Sequence, residues 1–241
     1  MLILCMTISA SQAQLWKMKK WEASMGFGPS IFFGDVGGYS RDENILGIKD
    51  MTYMQTRFNI NANIKYRVTE DLNARLSFTT GLLHATDKRG SNDGRGLEAT
   101  TGFFEPALIG EYAFIKNKAE GSYLFQKGKR GAMKGIVESL DVYVYSGIGG
   151  INYRVKANTL LTTYRLNNGG FAMVIPVGLG ANLIYSPDIN FGIEMGARYA
   201  FTDYLDGYTS QYSQVNDVYY LINFTVTYKM KTGKNGLPTF K

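Results

Sequence analysis

The sequence has one cysteine, Cys5, and one histidine, His84, so it can build neither a disulfide framework nor a Cys/His metal cluster. Proline is sparse, with five in 241 residues. No run approaches the ~20 consecutive apolar residues of a membrane helix. The formal charge is +6, but no dense Lys/Arg block accompanies it. That argues against a nucleic-acid footprint and points to loops facing acidic partners or lipid phosphates.

What is present is glycine (28), tyrosine (17), phenylalanine (14) and a repeated alternation. In Ile189–Phe201 one parity is wholly apolar, and the other carries Glu194 and Arg198 between small residues. A period of two places these sets on opposite faces of a strand. The same pattern predicts strands at about Trp21–Phe33, Arg57–Val68, Leu72–Leu83, Gly102–Phe114, Leu140–Tyr153, Phe171–Tyr185 and Ile189–Phe201, with an eighth ending near Tyr228. Strand five has mixed parity, so its outer face is left open. Segments of ~10 residues or more suit a tilted bilayer crossing. Long connections follow strands one, three, five and seven, and tight ones follow two and six; the long link after strand four breaks the rule. Aromatic residues collect near strand ends, as at a membrane interface.

The expected fold is therefore all-β: a closed antiparallel transmembrane β-barrel of about eight strands with a filled polar interior, in the bacterial outer membrane. Residues 1–13 read as a signal peptide, 14–20 as a periplasmic lead-in, 21–228 as the barrel and 229–241 as a periplasmic tail. Inside so narrow a barrel, Glu22, Arg57, Lys65, Arg75, Glu105, Glu111, Glu194 and Arg198 are expected to pair. Pro29, Pro106 and Pro176 fall within strands and predict bulges or local breaks.

Little chemistry is legible. His84 is read as a loop histidine, and Ser77, seven positions away, points to the opposite face. Asp203 and Asp206 lack the ligand series of a Ca²⁺ loop. Gly147, Gly149 and Gly150 precede no helix, so they read as packing glycines and not as a nucleotide loop. The expectation is no catalytic residue, no cofactor and no metal. The link Ile115–Ser139 carries Lys116, Lys118, Lys127, Lys129, Arg130 and Lys134 against Glu120 and Glu138. It is either a solvated loop or a docking surface for a periplasmic partner.

Two stretches, Phe33-Gly34-Asp35-Val36-Gly37-Gly38 and Phe201-Thr202-Asp203-Tyr204-Leu205-Asp206, carry a resemblance, joined by Phe104-Glu105 and Glu111-Tyr112-x-Phe114. Together they resemble a family of small outer-membrane barrels from Bacteroidetes that includes PorG, a component of the type IX secretion and gliding machinery. The sequence departs from that pattern at Gly207-Tyr208 and in its enlarged basic link. The resemblance implies a non-enzymatic accessory barrel that contacts periplasmic secretion proteins through its periplasmic rim. The alternatives are a free-standing barrel serving envelope integrity or binding ligands with its outer loops, and a lipid-modifying barrel. Of the marker residues, Gly34, Gly37 and Gly38 suit a tight strand exit, and Asp203 and Asp206 suit loop ordering with Thr202 and Tyr204 beside them.

Overall fold

An alternating strand buries one side-chain set and exposes the other, and here the exposed set is the apolar one. The computed structural model describes residues 19–37, 55–88, 93–116, 139–163, 167–209, 216–233 and 235–239. Eight long strands follow in chain order: β1 (Trp21–Phe33), β2 (Arg57–Arg67), β3 (Leu72–Thr86), β4 (Glu98–Ile115), β5 (Leu140–Ala157), β6 (Gly169–Ile184), β7 (Ile189–Ala200) and β8 (Val218–Thr232). Each pairs antiparallel with the next, and β8 returns to β1 from Trp21↔Met230 to Phe33↔Val218. Closure removes both sheet edges, as hydrocarbon requires. Phe27, Phe58 and Phe171 are each more than 60% exposed, whereas Lys65, Arg75, Glu111 and Glu194 are buried. An apolar exterior around a polar interior is an outer-membrane barrel. The tight connections 68–71 and 185–188 share an end with the start of β1 and the end of β8, the end at which outer-membrane barrels have their short periplasmic turns.

Several strands run further than the alternation indicates. β3 continues to Thr86 and β4 begins at Glu98, so His84 lies in a strand and not in a loop. β5 continues to Ala157 and β6 begins at Gly169, which takes Arg154 and Lys156 into the wall. β8 runs to Thr232, four residues past Tyr228, and a two-residue strand β9 (Pro238–Thr239) folds back on it. In β5 the inward set is Tyr143, Tyr145, Gly147, Gly149, Ile151, Tyr153 and Val155. Its tyrosines hid the alternation because a large amphipathic ring suits either face. Facing glycines admit them: a Cβ on Gly196 would lie 2.1 Å from the Tyr145 hydroxyl, and one on Gly180 would lie 2.4 Å from the Tyr143 ring.

Each of the three strand prolines interrupts one ladder without shifting register. The β1–β8 pairing passes from Phe27↔Phe224 to Ser30↔Leu221 around Pro29. The β4–β5 pairing skips Glu105 and Pro106, and the β5–β6 pairing skips Ile175 and Pro176. On its other side each proline stays in register, opposite Phe58, Phe78 and Arg198 respectively. The single register shift among the described pairings lies elsewhere, at Ala113/Ile115.

The filling divides along the barrel axis. The periplasmic half holds most of the charged and amide side chains, with the Glu105 and Arg198 pair at its border beside Tyr219. The outer half holds an apolar cluster that includes Phe32, Leu83, Phe103, Ile151, Tyr153, Val174, Tyr219 and Leu221. The polar filling expected from the sequence is thus one half of the interior.

Candidate functional site

The charged layer is built by inward positions of neighbouring strands. Lys65 and Arg75 are register partners on β2 and β3, and Glu111 reaches them from β4. Glu194 arrives across the lumen from β7. Arg75 Nη1 lies 2.9 Å from Glu111 Oε1 and 2.6 Å from Glu194 Oε1. Lys65 Nζ lies 3.1 Å from Glu111 Oε1. The Tyr143 hydroxyl donates to Glu194 at 2.5 Å, and Tyr145 underlies the Arg75 guanidinium at 4.8 Å. Further out, Arg198 Nε lies 3.7 Å from Glu105 Oε1, while the Tyr219 hydroxyl donates to Glu105 Oε2 at 2.6 Å. At the periplasmic mouth Arg67 Nη2 lies 3.4 Å from Glu22 Oε1. Each level balances its charge, which is the condition for holding ions out of water. Of the eight residues named from the sequence, seven are buried inside. Arg57 is half-exposed at the outer end of β2 and donates to the Thr56 carbonyl at 2.9 Å.

The outer mouth is closed by its own loops. Every outer connection sends one buried aliphatic into the apolar cluster: Val36 after β1, Leu97 after β3, Leu161 after β5 and Leu205 after β7. Leu161 sits on a single-turn helix α1 (Thr159–Thr163), whose backbone N–H at Leu161 is capped by Asn158 Oδ1 at 2.9 Å. The two marker stretches meet here. Asp206 Oδ2 accepts from Val36 N–H at 3.0 Å, and its Oδ1 accepts from Tyr208 N–H at 2.9 Å. Asp87 Oδ1 accepts from Gly37 N–H at 2.8 Å and is bridged by Arg95, which also donates to the Asp35 carbonyl at 2.9 Å. Gly37 has φ +81°, and a Cβ there would meet Gln55 and Thr86 at 2.4 Å. A Cβ on Gly34 would lie 2.7 Å from Asp206 Oδ2. Gly38 lies outside the described residues.

Asp203 accepts from the Thr209 hydroxyl at 2.5 Å, and Thr202 Oγ1 accepts from Tyr204 N–H at 3.3 Å. Asp203 and Asp206 therefore serve separate backbone and hydroxyl donors. Asp217 Oδ2 accepts from Leu205 N–H at 2.8 Å. Burial pushes the Asp206 carboxyl up to about 7 against its two N–H bonds, with Asp35 and Asp203 adding repulsion. Burial, then the Asp206 charge, also raises Asp217 well above the usual carboxylate range. The sequence signal for this cap was two Asp/Gly-rich strand exits, whose meeting no local pattern encodes.

His84 belongs to the outward set of β3 yet is buried, and Ser77 lies inward. His84 Nδ1 is 2.9 Å from Thr100 Oγ1, and Nε2 is 3.5 Å from Glu98 Oε1. Thr100 pairs in register with both His84 and Lys156 across its two neighbouring strands. Its backbone is thus committed to the ladder and offers no free N–H to a developing oxyanion.

At the periplasmic rim, Lys116 follows β4 and lines a cavity of about 30 Å³ with Glu22, Lys65, Arg67, Glu111 and Lys229. Lys118, Lys127, Lys129, Arg130 and Lys134 lie outside the described residues. Beyond the last β1–β8 pair the β8–β9 hairpin is tied to β1 by the Trp21 indole N–H, which donates to the Gly236 carbonyl at 2.9 Å. Lys19 bonds the Pro187 carbonyl at 2.9 Å and pairs with Asp188 in the tight turn.

Solved structures resemble this architecture at low identity. The N-terminal β-barrel domain of Pseudomonas aeruginosa OprF is 11% identical over 88% of this chain and 98% of its own, with a TM-score of 0.45. A major outer membrane protein from Thermus thermophilus is 11% identical over 87% of this chain and 98% of its own, with a TM-score of 0.46. Neisserial surface protein A is 9% identical over 87% of this chain and 96% of its own, with a TM-score of 0.44. No curated protein matches the sequence. The model of one family matches residues 1–233, which contain all eight barrel strands, and the chain belongs to that family, the Domain of unknown function (DUF6089).

Proposed function

We propose that this protein is a non-conducting, non-enzymatic barrel that anchors periplasmic partners at the outer membrane, as an accessory component of a type IX-like secretion machinery. The observation that carries the anchoring role is the periplasmic end. A filled lumen leaves the rims as working surfaces, and the periplasmic rim carries a stapled hairpin reaching past the last β1–β8 pair. It also carries the basic link after Lys116, on the side where such barrels normally have a short turn. The secretion assignment and the Bacteroidetes origin rest on the resemblance of the marker stretches to PorG-like barrels. Lys118, Lys127, Lys129, Arg130 and Lys134 are the proposed docking cations, suited to an acidic partner surface, whereas the Lys116 ammonium is buried in the mouth cavity beside Glu22 and leaves that set.

The test is affinity capture from cell envelopes with the parent chain, a chain lacking residues 117–138, and a chain lacking residues 235–241. The parent retains one or more periplasmic proteins that the first deletion loses. Identical partner sets from all three would overturn rim docking, and partners unrelated to secretion would overturn the finer assignment.

A further inference from the structure

The outer wall holds two cations that no described protein group answers. Arg154 and Lys156 lie at the outer end of β5, and alternation turns both outward, opposite to the buried Tyr153 and Val155. Both are exposed, and neither forms an ion pair or hydrogen bond with the described residues. Charges within the lumen are matched level by level, so this departure is local.

Register places them at successive heights above the membrane boundary. Asn152 pairs with Phe104 on β4 and with Phe171 on β6, and these two rings are 48% and 69% exposed. Aromatic rings of this kind mark the boundary between acyl chains and headgroups. Two residues further along β5, about 7 Å by strand rise, Arg154 pairs with Gly102 on one side and Gly169 on the other. Both neighbours lack side chains, so the wall is recessed to bare backbone on either side of Arg154. A Cβ on Gly102 would meet nothing nearer than Leu82 Cδ2 at 3.8 Å, which shows how open the recess is. Two residues further again, Lys156 pairs with Thr100, whose hydroxyl faces outward beside His84.

We infer that Arg154, Lys156 and the Thr100 hydroxyl form a binding site for a phosphate group of an outer-leaflet glycolipid. A guanidinium offers a planar fork that matches phosphate oxygens, the ammonium adds a point charge, and the hydroxyl, held 2.9 Å from His84 Nδ1, adds a polar contact beside them. The aromatic row beneath sets the ligand's acyl chains against Phe104 and Phe171, which favours a lipid over a soluble phosphate. On the neighbouring strand the Glu98 carboxylate is held by Lys88 at 3.0 Å and forms no ion pair with Arg154 or Lys156.

The experiment uses the full chain purified in detergent, with lipid retention read by native mass spectrometry. The probes are phosphorylated lipid A, the same lipid A after enzymatic dephosphorylation, and inorganic phosphate as competitor. Phosphorylated lipid A is retained by the parent and lost by about tenfold or more in R154Q/K156Q, in keeping with the loss of charge-assisted bonds. The dephosphorylated lipid binds parent and variant alike. Gly102→Val keeps both cations but fills the recess where space is open, and it lowers retention in a chain whose heat-modifiable migration shows a folded barrel. Equal retention of phosphorylated lipid A by parent and either folded variant overturns the site. Displacement of the lipid by millimolar inorganic phosphate overturns the lipid as its source.

Discussion

At the scale of single residues, the interior depends on charges that have no water to fall back on. Arg75 touches Glu111 and Glu194 through one Nη1 atom and lies over the Tyr145 ring. Arg75→Met leaves two carboxylates facing Lys65 alone, and breaking such a buried set costs about 3–5 kcal/mol. Urea unfolding of the refolded barrel should show that loss, and R75M/E194Q should recover much of it because the surplus charge goes too. If R75M and the double variant unfold alike, the network is not coupled as drawn. Asp206 and Asp217 obey the opposite logic, since no cation among the described residues pairs with either of them. Their folded pKa values lie above the unfolded carboxylate value, so the cap binds protons more tightly than the open chain. Its stability is therefore full at pH values below about 4 and declines as pH rises through about 7. Hydrogen exchange at Val36 and Leu205 should accordingly be slower at pH 5 than at pH 8 after correction for intrinsic rates. Asp217→Asn keeps an acceptor for Leu205 N–H but removes the like charge, so the pH dependence should flatten. An unchanged dependence would show that other groups set it.

Elements explain what was legible and what was not. Strand count, order and the periplasmic turns follow from an alternation that each strand displays by itself, and Phe58 through Lys65 is the clearest case. Strand ends were less legible. At Leu82-Leu83, Phe103-Phe104 and Tyr219-Tyr220-Leu221 both parities are apolar, because the wall rises out of the lipid and encloses a hydrophobic core. Consecutive apolar residues there blur a period-two signal, although they are themselves the mark of a filled outer half. The charged layer was readable from inward parity, but its pairings cross the lumen and depend on closure. Equally, the marker aspartate Asp206 was visible while its partner Val36 was not, since that contact joins segments 170 residues apart. The cap is an element in its own right, so it can be loosened alone. Leu161→Ala removes one of four buried anchors and should cost about 2–5 kcal/mol locally. Limited proteolysis of intact vesicles should then cut the outer loops faster, with heat-modifiable migration unchanged. Loss of that migration would show that cap and barrel form one cooperative unit.

For the whole molecule the decisive property is a lumen blocked at two independent levels. Eight strands enclose a bore that side chains alone can fill. The inner level is the Lys65, Arg75, Glu111 and Glu194 layer with Tyr143 and Tyr145 across it. The outer level is the apolar cluster under four loop anchors. An ion crossing the first level must displace matched charges, and at the second it meets an apolar cluster whose buried polar groups are already bonded within the cap. Clearing only one level therefore opens nothing. In planar bilayers the parent should show no steady conductance steps. R75A/E194A, which removes two of the four charges as a matched pair and opens the charged layer, should stay silent because the cap persists, and L161A/L205A should stay silent because the charged layer persists. Only the fourfold variant should conduct. Conductance steps from either double variant would reduce the barrier to a single level, and steps from the parent would make the barrel a pore and remove the ground for placing its work at the rims.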